Sequence, residues 1–188
     1  MVIGSETMPN WVTNVVHALN DDVDFAQFTD EEGKFTFEKI VPMPDDIFRG
    51  NLGQEERAKY GEKNWYDWSI KHWGTKWDAC EARISEDGKT VDFDTAWSVA
   101  EPVLAKLGEL VGGIIVFYSD EGIDENSGAF LVHSDGNVED LGVSAVAHLA
   151  IYSGKDVYDR DEIIDEYEWQ FEGMTNEGAP DVFSAERG

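Results

Sequence analysis

Apolar and polar positions along this chain follow two alternating periods, and each change of period marks an element. Trp11 to Leu19 is rich in Val and Thr, which predicts a first strand. Asn20-Asp21-Asp22 gives a helix start, with acids where the helix dipole favours them. A short helix through Val23 and Phe28 follows, ended near Gly33. Phe35-Thr36-Phe37-Glu38-Lys39-Ile40-Val41 alternates apolar and polar, the pattern of a half-buried strand, and Pro42-Met43-Pro44 stops it. Gln54 to Trp73 predicts a second helix with Trp65, Trp68 and His72 on one face and Gly74 as its stop.

Thr75 to Ile84 and Thr90 to Trp97, joined across Glu86-Asp87-Gly88, predict a β-hairpin. Pro102 marks the start of a third helix whose Val103, Leu104, Leu107 and Leu110 form one apolar stripe, broken at Gly112-Gly113. Ile114 to Tyr118 and Gly128 to His133 read as buried strands, the second followed by the turn Ser134-Asp135-Gly136-Asn137. The resulting order, β-α-β-α-β-β-α-β-β, predicts an α+β fold of the ferredoxin-like kind, with helices packed on one face of an antiparallel sheet. Beyond it, Val143 to Tyr152 is apolar enough to be packed, and Asp156 to Phe171 fits a helix or a strand. The Gly, Asn, Pro and Glu after Gly173 predict a frayed tail.

Charge changes this picture more than any other property. The 188 residues carry 40 Asp and Glu against 14 Lys and Arg, a formal net charge of -26. Ten Phe, six Tyr and seven Trp nevertheless supply a core, so the charge does not imply disorder. Phosphate-backbone binding needs clustered Lys and Arg and is disfavoured. Basic partner surfaces, multivalent cations or high salt suit such a surface instead, with a DNA-mimicking inhibitor as the sharpest form of that idea. The excess is uneven: residues 118–188 hold 18 acidic residues and three basic ones, Lys155, Arg160 and Arg187, a net of -15. The only cysteine, Cys80, forms no intramolecular disulfide, which fits a reducing compartment. Met1 to Asn10 lacks the basic-then-apolar pattern of a secretory signal, and no apolar run approaches the ~20 residues of a membrane span, so the expected location is cytoplasmic.

Candidate chemistry concentrates in Asn64-Trp65-Tyr66-Asp67-Trp68-Ser69-Ile70-Lys71-His72-Trp73-Gly74-Thr75-Lys76-Trp77-Asp78, which holds four of the seven tryptophans. One reading lines a ligand groove with Trp73, Lys76, Trp77 and Asp78, the indoles stacking on a planar group. The other is a structural staple: Trp65 and Trp68 face the sheet, Lys76 pairs with Asp78 or covers an indole, and Trp97 lies opposite Trp77 in the hairpin. His17, His72, His133 and His148 are scattered without metal-ligand spacing, and no metal or other cofactor is expected. Asp120 to Asn126 resembles a calcium loop only superficially, because Gly128 and His133 stand where acidic ligands belong. Cys80 with His72 makes a weak nucleophile pair, since a lone Cys is ordinarily a small buried hydrophobe. No phosphate-binding glycine loop or nucleophile elbow occurs.

Several strings together resemble a known family: Met8-Pro9-Asn10-Trp11-Val12-Thr13-Asn14, Phe35-Thr36-Phe37-Glu38-Lys39-Ile40-Val41-Pro42-Met43-Pro44, Asn64-Trp65-Tyr66-Asp67-Trp68, Trp73-Gly74-Thr75-Lys76-Trp77-Asp78, Phe93-Asp94-Thr95-Ala96-Trp97, and Tyr118 with Glu121-Gly122. This is similar to the YubB-type family of plasmids and phages. The resemblance implies a ferredoxin-like domain over residues 8–140 and a mobile-element origin, and carries over no catalytic residue. Met1 to Thr7 precedes the usual family start, and residues 141–188 form an acidic C-terminal extension outside the resemblance.

The expectation is therefore a non-enzymatic interaction protein that binds a basic surface of a host protein in the cytoplasm. Its acidic surface would comprise Asp120, Glu121, Asp124, Glu125, Asp159, Asp161, Glu162, Asp165 and Glu166, and would block a nucleic-acid-binding channel of a defence system. Direct nucleic-acid or membrane binding is not expected. The alternative is a small-ligand domain built on Trp73, Lys76, Trp77, Asp78 and Trp97.

Overall fold

A computed structural model describes residues 9–120 and 126–142. Within them β1 (Trp11–Ala18), β2 (Cys80–Ile84), β3 (Thr90–Ala96), β4 (Ile114–Ser119), β5 (Ser127–Val132) and β6 (Val138–Asp140) form one sheet in the order β2-β3-β1-β4-β5-β6. All neighbours are antiparallel, so the fold is α+β with a six-stranded antiparallel sheet. Three α-helices accompany it among the described residues: α1 (Gln54–Tyr60), α2 (Trp65–His72) and α3 (Glu101–Val111). Because β3 lies between β1 and β2, and β1 between β3 and β4, the helical connections α1–α2 and α3 each cross over one strand.

One face of the sheet carries the main core. Val16, Val91, Phe93, Ile114, Val116, Phe130 and Val132 meet Val103, Leu104, Leu107 and Val111 of α3, Trp68 of α2, and Phe25, Phe28, Phe35 and Phe37 from the connecting chain. Burying an aromatic or Leu-sized side chain contributes roughly 1.5–3 kcal/mol, so this cluster outweighs any single polar contact. Phe35 and Phe37 both close on Phe93, at ring distances of 5.6 and 5.4 Å. A smaller cluster, Ile115, Phe117 and Ala129 with Val15 and Leu131, occupies the other face.

Three predicted elements take a different form. Phe35 to Val41 is not a strand: Phe37–Lys39 is a 3-10 turn, and only a bridge between Thr29 and Phe35 pairs the segment. Phe35 and Phe37 are buried as their spacing predicts, but so is Thr36 between them, and Thr36 and Asp78 take up the backbone N–H groups that a ladder would use. Val23 to Phe28 likewise forms a single 3-10 turn, Phe25–Phe28, capped by Asp24. Gln54 to Trp73 splits in two, because Gly61 turns left-handed (φ 54°) and Asn64 caps α2 by accepting from the Asp67 N–H at 3.0 Å. The hairpin forms, yet β2 begins only at Cys80, leaving Gly74 to Ala79 as a shaped loop. Leu110 is exposed rather than in the stripe of α3, where Gly108 takes the contact position against Val132. Strand β6 was not anticipated. Met1 to Thr7, the packed reading of Val143 to Tyr152, the helix-or-strand reading of Asp156 to Phe171 and the tail beyond Gly173 lie outside the described residues.

Candidate functional site

The tryptophan string divides into a buried set and a surface set. Trp68 and Trp73 are 8% and 5% exposed and cross edge to face at 5.4 Å. The Trp73 indole N–H donates to the Val41 carbonyl at 2.9 Å, which satisfies its one polar atom inside the core. Trp65 donates to the Gly50 carbonyl at 3.0 Å, and His72 stacks on Trp68 at 4.6 Å. Asp78 is committed within the fold: its carboxylate accepts from the Thr36 hydroxyl (2.5 Å), the Phe37 N–H (2.7 Å) and the Ala79 N–H (2.7 Å). Trp73 and Asp78 of the predicted ligand cluster therefore belong to the frame, not to an open groove.

Lys76, Trp77 and Trp97 do come together, and Trp11 joins them. Trp77 lies 5.4 Å from Trp97 and 6.0 Å from Trp11, with the rings inclined by 40° and 39°. The Lys76 ammonium sits 4.5 Å from the Trp77 ring centre and 5.2 Å from that of Trp97. Trp97 is 44% and Trp11 38% exposed, so a tryptophan platform faces solvent at one end of β1 and β3. Trp77 and Trp97 pair as predicted, but neither lies in a hairpin strand: both stand in the loops beyond β2 and β3.

The frame under the platform explains its position. Trp97 has a left-handed backbone (φ 66°), a conformation that costs a non-glycine residue on the order of 1–3 kcal/mol and persists only when neighbours fix it. They do so from three segments. Its N–H donates to the Asn10 carbonyl at 2.9 Å, and its carbonyl accepts from the Asn126 amide at 3.1 Å. Beneath it, the fully buried Asn14 donates to the Thr95 hydroxyl (2.9 Å), which donates to the Ser98 carbonyl (2.8 Å). The Ser98 hydroxyl then donates to the Gly74 carbonyl (2.8 Å), and the Thr75 hydroxyl to the Ala96 carbonyl (3.1 Å). Gly74 itself is left-handed (φ 83°), and a Cβ there would stand 2.5 Å from Pro102 Cδ, so α3 also braces the loop.

Other candidates have clear surroundings. The Cys80 thiol is half-buried and its pKa is raised, first by burial and then by nearby Asp78, Asp94 and Glu81 against Lys34, which suppresses the thiolate. His17 packs edge-on against Phe117 and meets the Thr90 hydroxyl through Nδ1 at 2.9 Å. Its Nε2 is buried without a partner among the described residues, and burial holds its pKa below the usual value despite Asp87. His133 meets Glu139 at 3.0 Å, while His148 lies outside the described residues. No group of three or more His, Cys, Asp or Glu among the described residues could hold a metal ion. No helix among them is long and apolar enough to cross a membrane. Of the predicted acidic surface, Asp120 lies at the end of β4, its N–H donating to the Asn126 carbonyl. Glu121, Asp124, Glu125, Asp159, Asp161, Glu162, Asp165 and Glu166 fall outside the described residues.

Trp11 was missed as a site residue because it reads as an ordinary strand position. Its place on the platform, against Trp77, goes with the register that sets Trp11 opposite Ala96. Searched against known families, curated proteins and solved structures, the chain finds no match.

Proposed function

We propose that this is an acidic interaction protein that binds a basic surface of a partner protein. The distribution of charge carries the reading. Among the described residues Asp and Glu outnumber Lys and Arg 25 to 11, so the acidic excess extends over the folded sheet as well as the C-terminal region. The cations there are largely occupied: Arg49, Lys63, Arg83, Lys89 and Lys106 form ion pairs, and Arg57, Lys59 and Lys76 lie over aromatic rings. Excess carboxylates then set the field that steers a cationic partner.

The finer fold reading belongs to the same proposal. The run β2-β3-β1-β4 with two crossover connections supports a ferredoxin-like arrangement extended by β5 and β6. With the YubB-type resemblance, it supports a mobile-element protein acting in a host cytoplasm, in its sharpest form as a DNA mimic against a nucleic-acid-binding defence system. The small planar ligand is less favoured. Trp77 lies against Trp97 at 5.4 Å and against Trp11 at 6.0 Å, which leaves no slot beside Trp77 for a stacked ring.

Capture from bacterial lysate on the immobilised full chain tests this, followed by reconstitution with the purified captured protein at about 50 and about 300 mM salt. A stoichiometric complex weakened by salt is the expected result. Finding no stoichiometric, salt-sensitive partner refutes it.

A further inference from the structure

The platform already holds a cation, and the chain's own Lys76 supplies it. The ammonium lies within 5.2 Å of two indole faces at once, so the negative faces of Trp77 and Trp97 converge on one point outside the sheet. Lys76 forms no ion pair among the described residues, so the indoles are what it contacts. Trp11 extends the same surface, with no cation over it among the described residues. A carboxylate lies close by: Trp11 and Thr13 share one face of β1, Thr13 stands opposite Asp94, and its hydroxyl donates to Asp94 at 2.8 Å. Asp94 is thus the diagonal cross-strand neighbour of Trp11.

We propose that Trp11, Trp77 and Trp97 receive an arginine side chain of the basic partner, which displaces Lys76 from the indole faces. This rests on the reading of the protein as an acidic binder of basic surfaces: net charge attracts the partner, and the platform anchors it. Three observations converge on arginine. A planar, weakly hydrated guanidinium stacks on indole better than a compact ammonium. Its fork of N–H donors suits the carboxylate two residues along the sheet. The backbone that carries Trp97 is also set before any partner arrives, by its left-handed conformation and by the hydrogen bonds of Asn14, Thr95 and Ser98. Preorganised aromatic clusters of this kind are where binding energy concentrates at interfaces.

The test uses the full chain with nona-arginine and nona-lysine peptides. Affinity is read by titration at about 50 mM salt, and the indole N–H signals are followed by NMR. The expected result is nona-arginine binding at least about threefold tighter than nona-lysine, with the Trp11, Trp77 and Trp97 signals moving and those of Trp68 and Trp73 still. Trp97→Gly, which suits the left-handed backbone and so keeps the fold, removes the arginine preference while leaving salt-sensitive binding. Trp11→Ala is the second variant. Lys76→Met raises nona-arginine affinity about twofold by removing the competing cation. Equal affinity for the two peptides, or an arginine preference that survives Trp97→Gly and Trp11→Ala, overturns the inference and leaves the acidic-binder reading standing. Failure of both peptides to bind overturns both.

Discussion

Replacing Asp78 with Ala removes a side chain that ties the connecting chain after β1 to the start of β2. Its carboxylate accepts three hydrogen bonds, from Thr36 Oγ1 at 2.5 Å and from the backbone of Phe37 and Ala79 at 2.7 Å each. Hydrogen bonds to a charged group contribute about 1.5–3 kcal/mol each, but those sharing one carboxylate do not add in full. Ala79 is as fully buried as Phe37, so its N–H loses its partner as well. Each of these two backbone donors, left unsatisfied, costs about 1–3 kcal/mol. The sum for Asp78→Ala comes to about 3 kcal/mol, and Asp78→Asn, which keeps an acceptor for Phe37, should lose about half as much. Urea titration followed by tryptophan fluorescence and by far-UV dichroism measures both. A loss under about 0.5 kcal/mol for Asp78→Ala, or an equal loss for the two variants, would refute the reasoning and return Asp78 to the list of ligand groups.

Gly108→Ala pits a helix-propensity gain of about 1 kcal/mol against overpacking of about 1–3 kcal/mol, since the new Cβ would stand 2.4 Å from Val132 Cγ1. Net destabilisation is expected, and Val132→Ala should relieve part of it in a double-mutant cycle; simple additivity would argue against the contact. Burial lowers the pKa of His17 in the fold, so the unfolded chain binds its proton first. Stability from this group is complete above the unfolded value of about 6.5 and declines as pH falls below it. His17→Gln should flatten that part of the pH-stability curve, and an unchanged slope counts against the assignment. The Cys80 thiol should react with a disulfide reagent at neutral pH about tenfold more slowly than in urea-unfolded chain, because burial raises its pKa; equal rates would contradict this.

Much of the frame was legible in the chain because it depends on local signals. The Val-rich start, the hairpin turn at Glu86-Asp87-Gly88, Pro102 at the head of α3 and the apolar run from Ile114 all stand where the pattern put them. The failures have two causes. Phe35 and Phe37 are buried as their spacing suggested, but Thr36 is buried between them, and Asp78, 41 positions from Phe37, takes the backbone donor that a strand would have used. The long second helix broke at Gly61 and Asn64, where local caps outcompeted continuation.

The same division runs through the candidate site. By itself the sequence determined the charge excess, the density of indoles and the identity of Lys76, Trp77 and Trp97, since composition and spacing are properties of a chain. It could not say which indoles would be buried, because Trp73 and Trp77 are alike in type and only four residues apart. Only the tertiary structure decided that. Trp73 turns inward to the carbonyl of Val41, while the register of β1 on β3 sets Trp11 opposite Ala96, and the braced Gly74 to Asp78 loop leaves Trp77 between Trp11 and Trp97 in solvent reach. Contacts spanning most of the domain set that arrangement, and no local pattern encodes them.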